Sequence, residues 1–166
     1  MTTYPVINAG TTPAASVLQA MLQLIADKTA DQPVTSSTVL VNDSALVIPV
    51  VANARYKVEL EILYKGGTTG GSDIKVAFSV PSGATIAGRA ITVANPLGVA
   101  TGFINQSSVL FSATNGTGNP LACACVFTFT TSATPGNLQI QWAQNTSSAT
   151  ATTVMAGSSL TAKRRA

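Results

Sequence analysis

From residue 55 to residue 64 the chain reads RYKVELEILY, and the alternation in this run limits what the chain can fold into. Tyr56, Val58, Leu60, Ile62 and Tyr64 take every second position, with Lys57, Glu59 and Glu61 between them. Successive side chains of an extended chain point to opposite faces, so the run has one apolar face and one wet face. A helix would scatter the same apolar residues around its circumference. The pattern predicts a long strand of an antiparallel sheet, with one face on a core and the other toward solvent or a neighbouring subunit.

Further strands are predicted around it. Residues 38–41 form a short run that ends at the turn signal Asn42-Asp43. Residues 45–50 are apolar and carry Pro49, which belongs at a sheet edge or bulge. Residues 65–72, KGGTTGGS, read as a flexible loop. Residues 74–80 alternate again, and 85–93 are strand-like with Gly88 marking a bulge or a close approach. Residues 99–112 hold one strand or two. The turn NGTGNP (115–120) leads into 121–131, where Cys123, Cys125, Phe127 and Phe129 share one face. Leu138, Ile140 and Trp142 alternate after the turn at Pro135-Gly136, and 150–155 and 158–162 complete the set. About nine or ten strands spaced by turns indicate an all-β protein, an antiparallel β-sandwich of jelly-roll type.

Ahead of the strands, residues 1–10 read as an irregular arm with an apolar spot at Tyr4, Val6 and Ile7. Residues 12–28 carry the one helical pattern. Thr12 suits an N-cap and Pro13 the first helical position. Val17, Leu18, Met21, Leu22 and Ile25 follow helical spacing, and Lys28 falls in the last turn, where a cation suits the dipole. Such a helix either packs on its own sheet or meets symmetry mates or a host surface. With the polar linker 29–37 following, the expected organisation is an arm and helix over 1–33 and a sandwich domain over 34–166.

Chemistry is sparse. The chain is 46% hydrophobic and 9% charged, against roughly 25% charge in typical globular domains. Low charge with many Thr and Val suits a β protein that hides surface in an assembly. Nine bases against six acids give a net charge of +3. Lys163, Arg164 and Arg165 supply that excess, and they read as a solvated terminus or as an anchor on an acidic partner. The body lacks the basic stripe with interleaved aromatics that nucleic-acid binding needs. No apolar run approaches the roughly 20 residues of a membrane helix. MTTYPVINAG has neither a basic start nor an apolar centre, so no signal peptide is expected and synthesis is expected in a reducing compartment. Cys123 and Cys125 are expected to be free thiols packed as small hydrophobes.

With no histidine, the usual nucleophilic triads and the commonest zinc sets lose a member. Glu59 and Glu61 are neighbours on a wet strand face; they read as solvated charges, or as the acid pair of a glycan-cleaving enzyme. The loop GGTTGG lacks the Gly-Lys-Ser/Thr ending and following helix of a phosphate loop. No catalytic, cofactor or metal residues are assigned.

Three stretches carry a resemblance: 34–67 (VTSSTVLVNDSALVIPVVANARYKVELEILYKGG), 72–85 (SDIKVAFSVPSGAT) and 136–164 (GNLQIQWAQNTSSATATTVMAGSSLTAKR). Together they resemble a family of small virion structural proteins (decoration, minor capsid or tail-associated) of tailed phages and prophages of actinobacteria. The resemblance implies a trimeric jelly-roll sandwich set on a virion by its N-terminal part. It implies a non-enzymatic capsid decoration protein forming knobs on the head surface, with the major capsid protein or another virion protein as partner. The alternative is a tail-tip or fibre knob that binds a host receptor or glycan through loops 65–72 and 115–120. On the first reading, attachment falls to Tyr4, Val6, Ile7, Leu18, Met21, Leu22 and Ile25. Tyr56, Phe127, Phe129 and Trp142 are assigned to a trimer seam, with each subunit's own core as the other place for them.

Overall fold

The predicted long strand is the centre of the large sheet. In the computed structural model, which describes residues 23–68, 73–94 and 97–165 together with Gly10, Thr12 and Ala14, it is β4 (Arg55–Lys65). Tyr56, Val58, Leu60, Ile62 and Tyr64 are all buried. The other strands are β1 (Gln23–Asp27), β2 (Gln32–Val34), β3 (Val41–Val50), β5 (Ile74–Ser79), β6 (Thr85–Ala94), β7 (Gly98–Ile104), β8 (Leu110–Ser112), β9 (Leu121–Thr130), β10 (Gly136–Gln144), β11 (Thr152–Val154) and β12 (Ser159–Arg165).

One sheet runs β1-β12-β4-β9-β6-β7, with β11 pairing both β4 and β2; the other runs β3-β10-β5-β8. All pairings are antiparallel, and β3 with β10, β4 with β9, β5 with β8 and β6 with β7 form the rungs of one long ribbon. The two strands of each rung share a sheet and successive rungs fall in opposite sheets, with β6 and β7 closing the ribbon in the large one. This rolled ribbon is the jelly roll, and the chain is an all-β antiparallel sandwich as predicted.

Alternation places the core. Phe127 and Phe129 of β9 face inward beside Tyr56, whose ring lies 6.2 Å from that of Phe129. Phe78 of β5 reaches across from the opposite sheet to Phe127 at 5.3 Å, edge on. Full burial of one such aliphatic or aromatic side chain contributes about 1.5–3 kcal/mol. Tyr64 ties the sheets by a polar contact: its hydroxyl donates to Ala113 O at 2.8 Å and lies 2.6 Å from Ser112 Oγ, just beyond β8 and at its end. Pro49 sits in edge strand β3, where its missing N–H costs no interior bond.

The helix expected over 12–28 is overturned where it is described. Gln23–Asp27 is strand β1, and no helix occurs among the described residues. β1 pairs residue for residue with β12, from Gln23↔Lys163 to Asp27↔Ser159. Leu24 and Ala26 pack on the core while Ile25 faces out. The free edge of β12 offers five backbone partners, and this tertiary pairing outweighs a local helical preference. The rest of that expected helix lies outside the described residues, apart from Thr12 and Ala14.

Asn42-Asp43 does not end a strand either; β3 runs through it. The turn chemistry is spent inside the strand, where the β3–β10 register shifts between Gln139 and Gln141. Asp43 Oδ1 accepts from the N–H groups of Ala45 and Leu46, both at 2.9 Å. Gly88 marks a close approach, as expected. A Cβ built there would stand 2.5 Å from the Cα of Phe127, its partner on β9.

Candidate interaction surface

The outward face of the large sheet carries most of the charge. On β4, Arg55, Lys57, Glu59 and Glu61 point away from the core. β12 sets Arg165 opposite Arg55 and Lys163 opposite Lys57, then Thr161 opposite Glu59 and Ser159 opposite Glu61. The face is therefore basic at one end and acidic next to it. Like charges directly opposed across strands are destabilising. Among the described residues the only ion pairs are Lys28–Asp43 and Lys65–Asp31, so none of these four bases pairs with a described carboxylate. Lys163, Arg164 and Arg165 are not a loose terminus. Their side chains are exposed, but their backbone continues β12 along Lys57, Tyr56 and Arg55.

Beside the bases, Glu59 and Glu61 wall a hollow of about 310 Å³ that Ala124, Val126, Ser159 and Thr161 also line. The hollow exists because the outward residues of β9 and β12 are small there. Both carboxylates are exposed, and no cluster of metal-ligating side chains occurs among the described residues. Cys123 and Cys125 lie on the opposite, inward face and are buried free thiols. Burial pushes both up, Cys125 to about 12 and Cys123 further, the latter also feeling Cys125. They are poor nucleophiles and poor ligands.

The second feature is an apolar edge. β7 ends the large sheet, and among the described residues nothing pairs with its outer side. Its sequence, GVATGFI, holds no charge and no proline. Val99 is 78% exposed and Phe103 74%. Ile91 on β6, opposite Thr101, adds exposed apolar surface on the same face, and Leu97, Val109 and Phe111 of β8 are exposed as well. Val93 N donates to Ser112 Oγ and Ala113 N to Val93 O, each at 2.8 Å, which fixes β8 against β6.

The expected site residues are distributed unevenly. Ile25 is exposed on β1, opposite Thr161. Tyr4, Val6, Ile7, Leu18, Met21 and Leu22 lie outside the described residues. Tyr56, Phe127, Phe129 and Trp142, assigned to a seam, are buried in the subunit's own core, none more than 2% exposed. The Trp142 Nε1 has no hydrogen-bond partner there, so its burial rests on packing alone. Gly67, from the expected loop 65–72, and Gly116, from 115–120, meet, with Gly116 N donating to Gly67 O at 2.8 Å; residues 69–72 lie outside the described residues. The apolar edge at β7 escaped sequence reading. Its signal was a charge-free run with Val99 and Phe103 two pleats apart.

No protein-family model matches the chain, and no curated protein matches it. Among solved structures it is similar to a chain in the tripod (BppUct-A-L) from the baseplate of bacteriophage Tuc2009. That match has 11% identity over 99% of this chain and 76% of that one, with a TM-score of 0.38. It is also similar to a chain of infectious bursal disease virus, Gt strain, with 10% identity over 87% of this chain and 38% of that one, and a TM-score of 0.23. At these scores neither likeness carries an argument about what this chain does.

Proposed function

We propose that this chain is a non-enzymatic virion structural protein, a capsid decoration (minor capsid) protein that forms trimeric knobs on the head surface of a phage. One observation carries the reading. Segregated charge and an apolar edge lie on the outside of the sandwich, while the interior is an apolar cluster whose one buried ion pair, Lys28–Asp43, is mutually satisfied. A surface of that kind suits assembly rather than turnover. The sequence resemblance to small virion proteins points the same way.

Attachment would fall to the N-terminal region, through Tyr4, Val6, Ile7, Leu18, Met21, Leu22 and Ile25. Each copy needs only a weak grip, because several copies engaging a symmetric site multiply it through avidity. The test is immunogold labelling of phage particles from the host that encodes the chain. Label on heads is expected. Particles free of the chain would overturn the proposal. The tail-tip or fibre-knob reading is kept for one reason, the contact of Gly67 with Gly116 of the turn 115–120, and label at the tail tip would favour it.

A further inference from the structure

An exposed edge strand is normally blunted by charge, proline, a bulge or a covering element, because its unpaired N–H and C=O groups invite another strand. β7 shows none of these devices among the described residues. It is seven residues long, pairs with β6 in unbroken register from Gly88↔Ile104 to Ala94↔Gly98, and leaves its other side open. We propose that β7 pairs antiparallel with β7 of a second copy of this chain, about a two-fold axis at Thr101, so that two large sheets join into one.

The strand's own sequence selects this occupant. A two-fold at Thr101 sets Val99 opposite Phe103 of the partner subunit, and Phe103 opposite Val99 of the partner subunit. The two most exposed large apolar side chains of the described surface thus cover each other. Aromatic against β-branched is among the favourable cross-strand pairs. Thr101 meets Thr101 of the partner subunit, another favourable pair, and no like charges oppose each other anywhere in the ladder. Ile91, which pairs with Thr101 inside the subunit, extends the apolar strip inward on both sides.

Gly102 is compatible with the same register. A Cβ there would meet nothing within 4 Å inside the subunit, and the pairing sets Gly102 against Ala100 of the partner subunit, small against small. This contact rests on β7 alone and is independent of the virion assignment and of any three-fold contact.

Thr101→Cys tests it. Directly opposed Cα atoms in an antiparallel pair stand about 4.5–5.5 Å apart, within disulfide reach. The native thiols are buried, so the introduced one is the reactive group. Mild oxidation of Thr101→Cys is expected to give a covalent dimer at least about tenfold faster than Ser107→Cys, an exposed loop control, because pairing raises the effective concentration. Phe103→Lys is expected to reduce the particle size in sedimentation and to leave the thermal midpoint of the dilute chain unchanged. Equal crosslinking rates for the two cysteine variants overturn the proposal. So does a wild-type chain that sediments as a single 16.8 kDa subunit at its highest soluble concentration, or a larger particle whose size Phe103→Lys does not change, as when a foreign strand is the true occupant.

Discussion

Lys28 directly follows β1, and its side chain is 1% exposed beside an Asp43 side chain that is 0% exposed. Nζ donates to Asp43 Oδ2 at 2.9 Å, to Asp43 Oδ1 at 3.1 Å and to Gln32 Oε1 at 3.0 Å. The backbone of Lys28 is held as well, its N–H donating to Ser158 O and its carbonyl accepting from Gly157 N. The pair therefore pins the β1–β2 segment of the large sheet to the bulge of β3 in the small one. Lys28→Met keeps the apolar stem and removes the charge. It leaves a carboxylate sealed from water with only the Ala45 and Leu46 N–H groups for company. Breaking a buried pair from one side costs about 3–5 kcal/mol. For a chain of this length that is a fall in Tm of about 6–20 °C.

Adding Asp43→Asn to that variant removes the stranded charge and keeps an oxygen for the two N–H groups. The double variant is then expected to lose only about 1–2 kcal/mol, the net worth of the remaining hydrogen bonds. Asp43→Asn alone strands the ammonium and should cost about as much as Lys28→Met. The assay is urea unfolding of all four proteins, followed by tryptophan fluorescence and far-UV circular dichroism to check two-state behaviour. The cycle should be strongly non-additive, with the double variant more stable than either single one. A Lys28→Met loss below about 1 kcal/mol, or a double variant no better than Lys28→Met, would refute the reasoning, because the pair would then behave as a solvated one.

Three further outcomes are expected. Gly88→Ala drives its methyl into the backbone of Phe127, where no side-chain rotation gives relief, so it should cost about 3 kcal/mol or more in urea unfolding, whereas Gly102→Ala, in open space, should cost the dilute chain nothing measurable. The thiols and Tyr64 set an alkaline limit. Burial raises all three, and below the ordinary thiol value of 9.0 both folded and unfolded thiols are protonated. Above it the unfolded chain ionises while the folded one keeps its protons, so stability falls with rising pH, by on the order of 1 kcal/mol per pH unit for each thiol. Urea midpoints that hold steady from about pH 8 to about pH 11 would contradict this. Lys163→Glu replaces a like pair with an opposite one across from Lys57 and should raise stability by about 0.2–1 kcal/mol, an effect that added salt should shrink.

How much of this was legible in the sequence depended on whether local pattern or distant pairing decided the outcome. Alternation at Tyr56 to Tyr64 and at Cys123 to Phe129 gave strands, faces and burial, because a pleat with one wet side imposes period two on the residues themselves. Pro49 and Gly88 were legible for the same reason: one cannot donate a ladder bond, and the other has no Cβ to collide with Phe127. Residues 23–27 were not, because QLIAD suits a helix as well as a strand and the deciding partner, β12, lies more than a hundred residues away. The Lys28–Asp43 pair was hidden by the same mistake, since a helix would have put the lysine in solvent.

The seam aromatics show a different limit. Periodicity says that a side chain will be buried but not by whose atoms, and Tyr56, Phe127, Phe129 and Trp142 are covered entirely by their own subunit. The surface available to a partner must then consist of residues that periodicity ranks as unremarkable, the edge strands and loop tips. Splitting 99–112 into β7 and β8, one in each sheet, is what exposes such an edge. A ribbon that rolls up with β6 and β7 at its closed end leaves β7 last in the large sheet. The fold itself thus delivers a strand with one open edge to the surface, and the residues on that strand, apolar and free of charge, leave it without the usual guards against pairing.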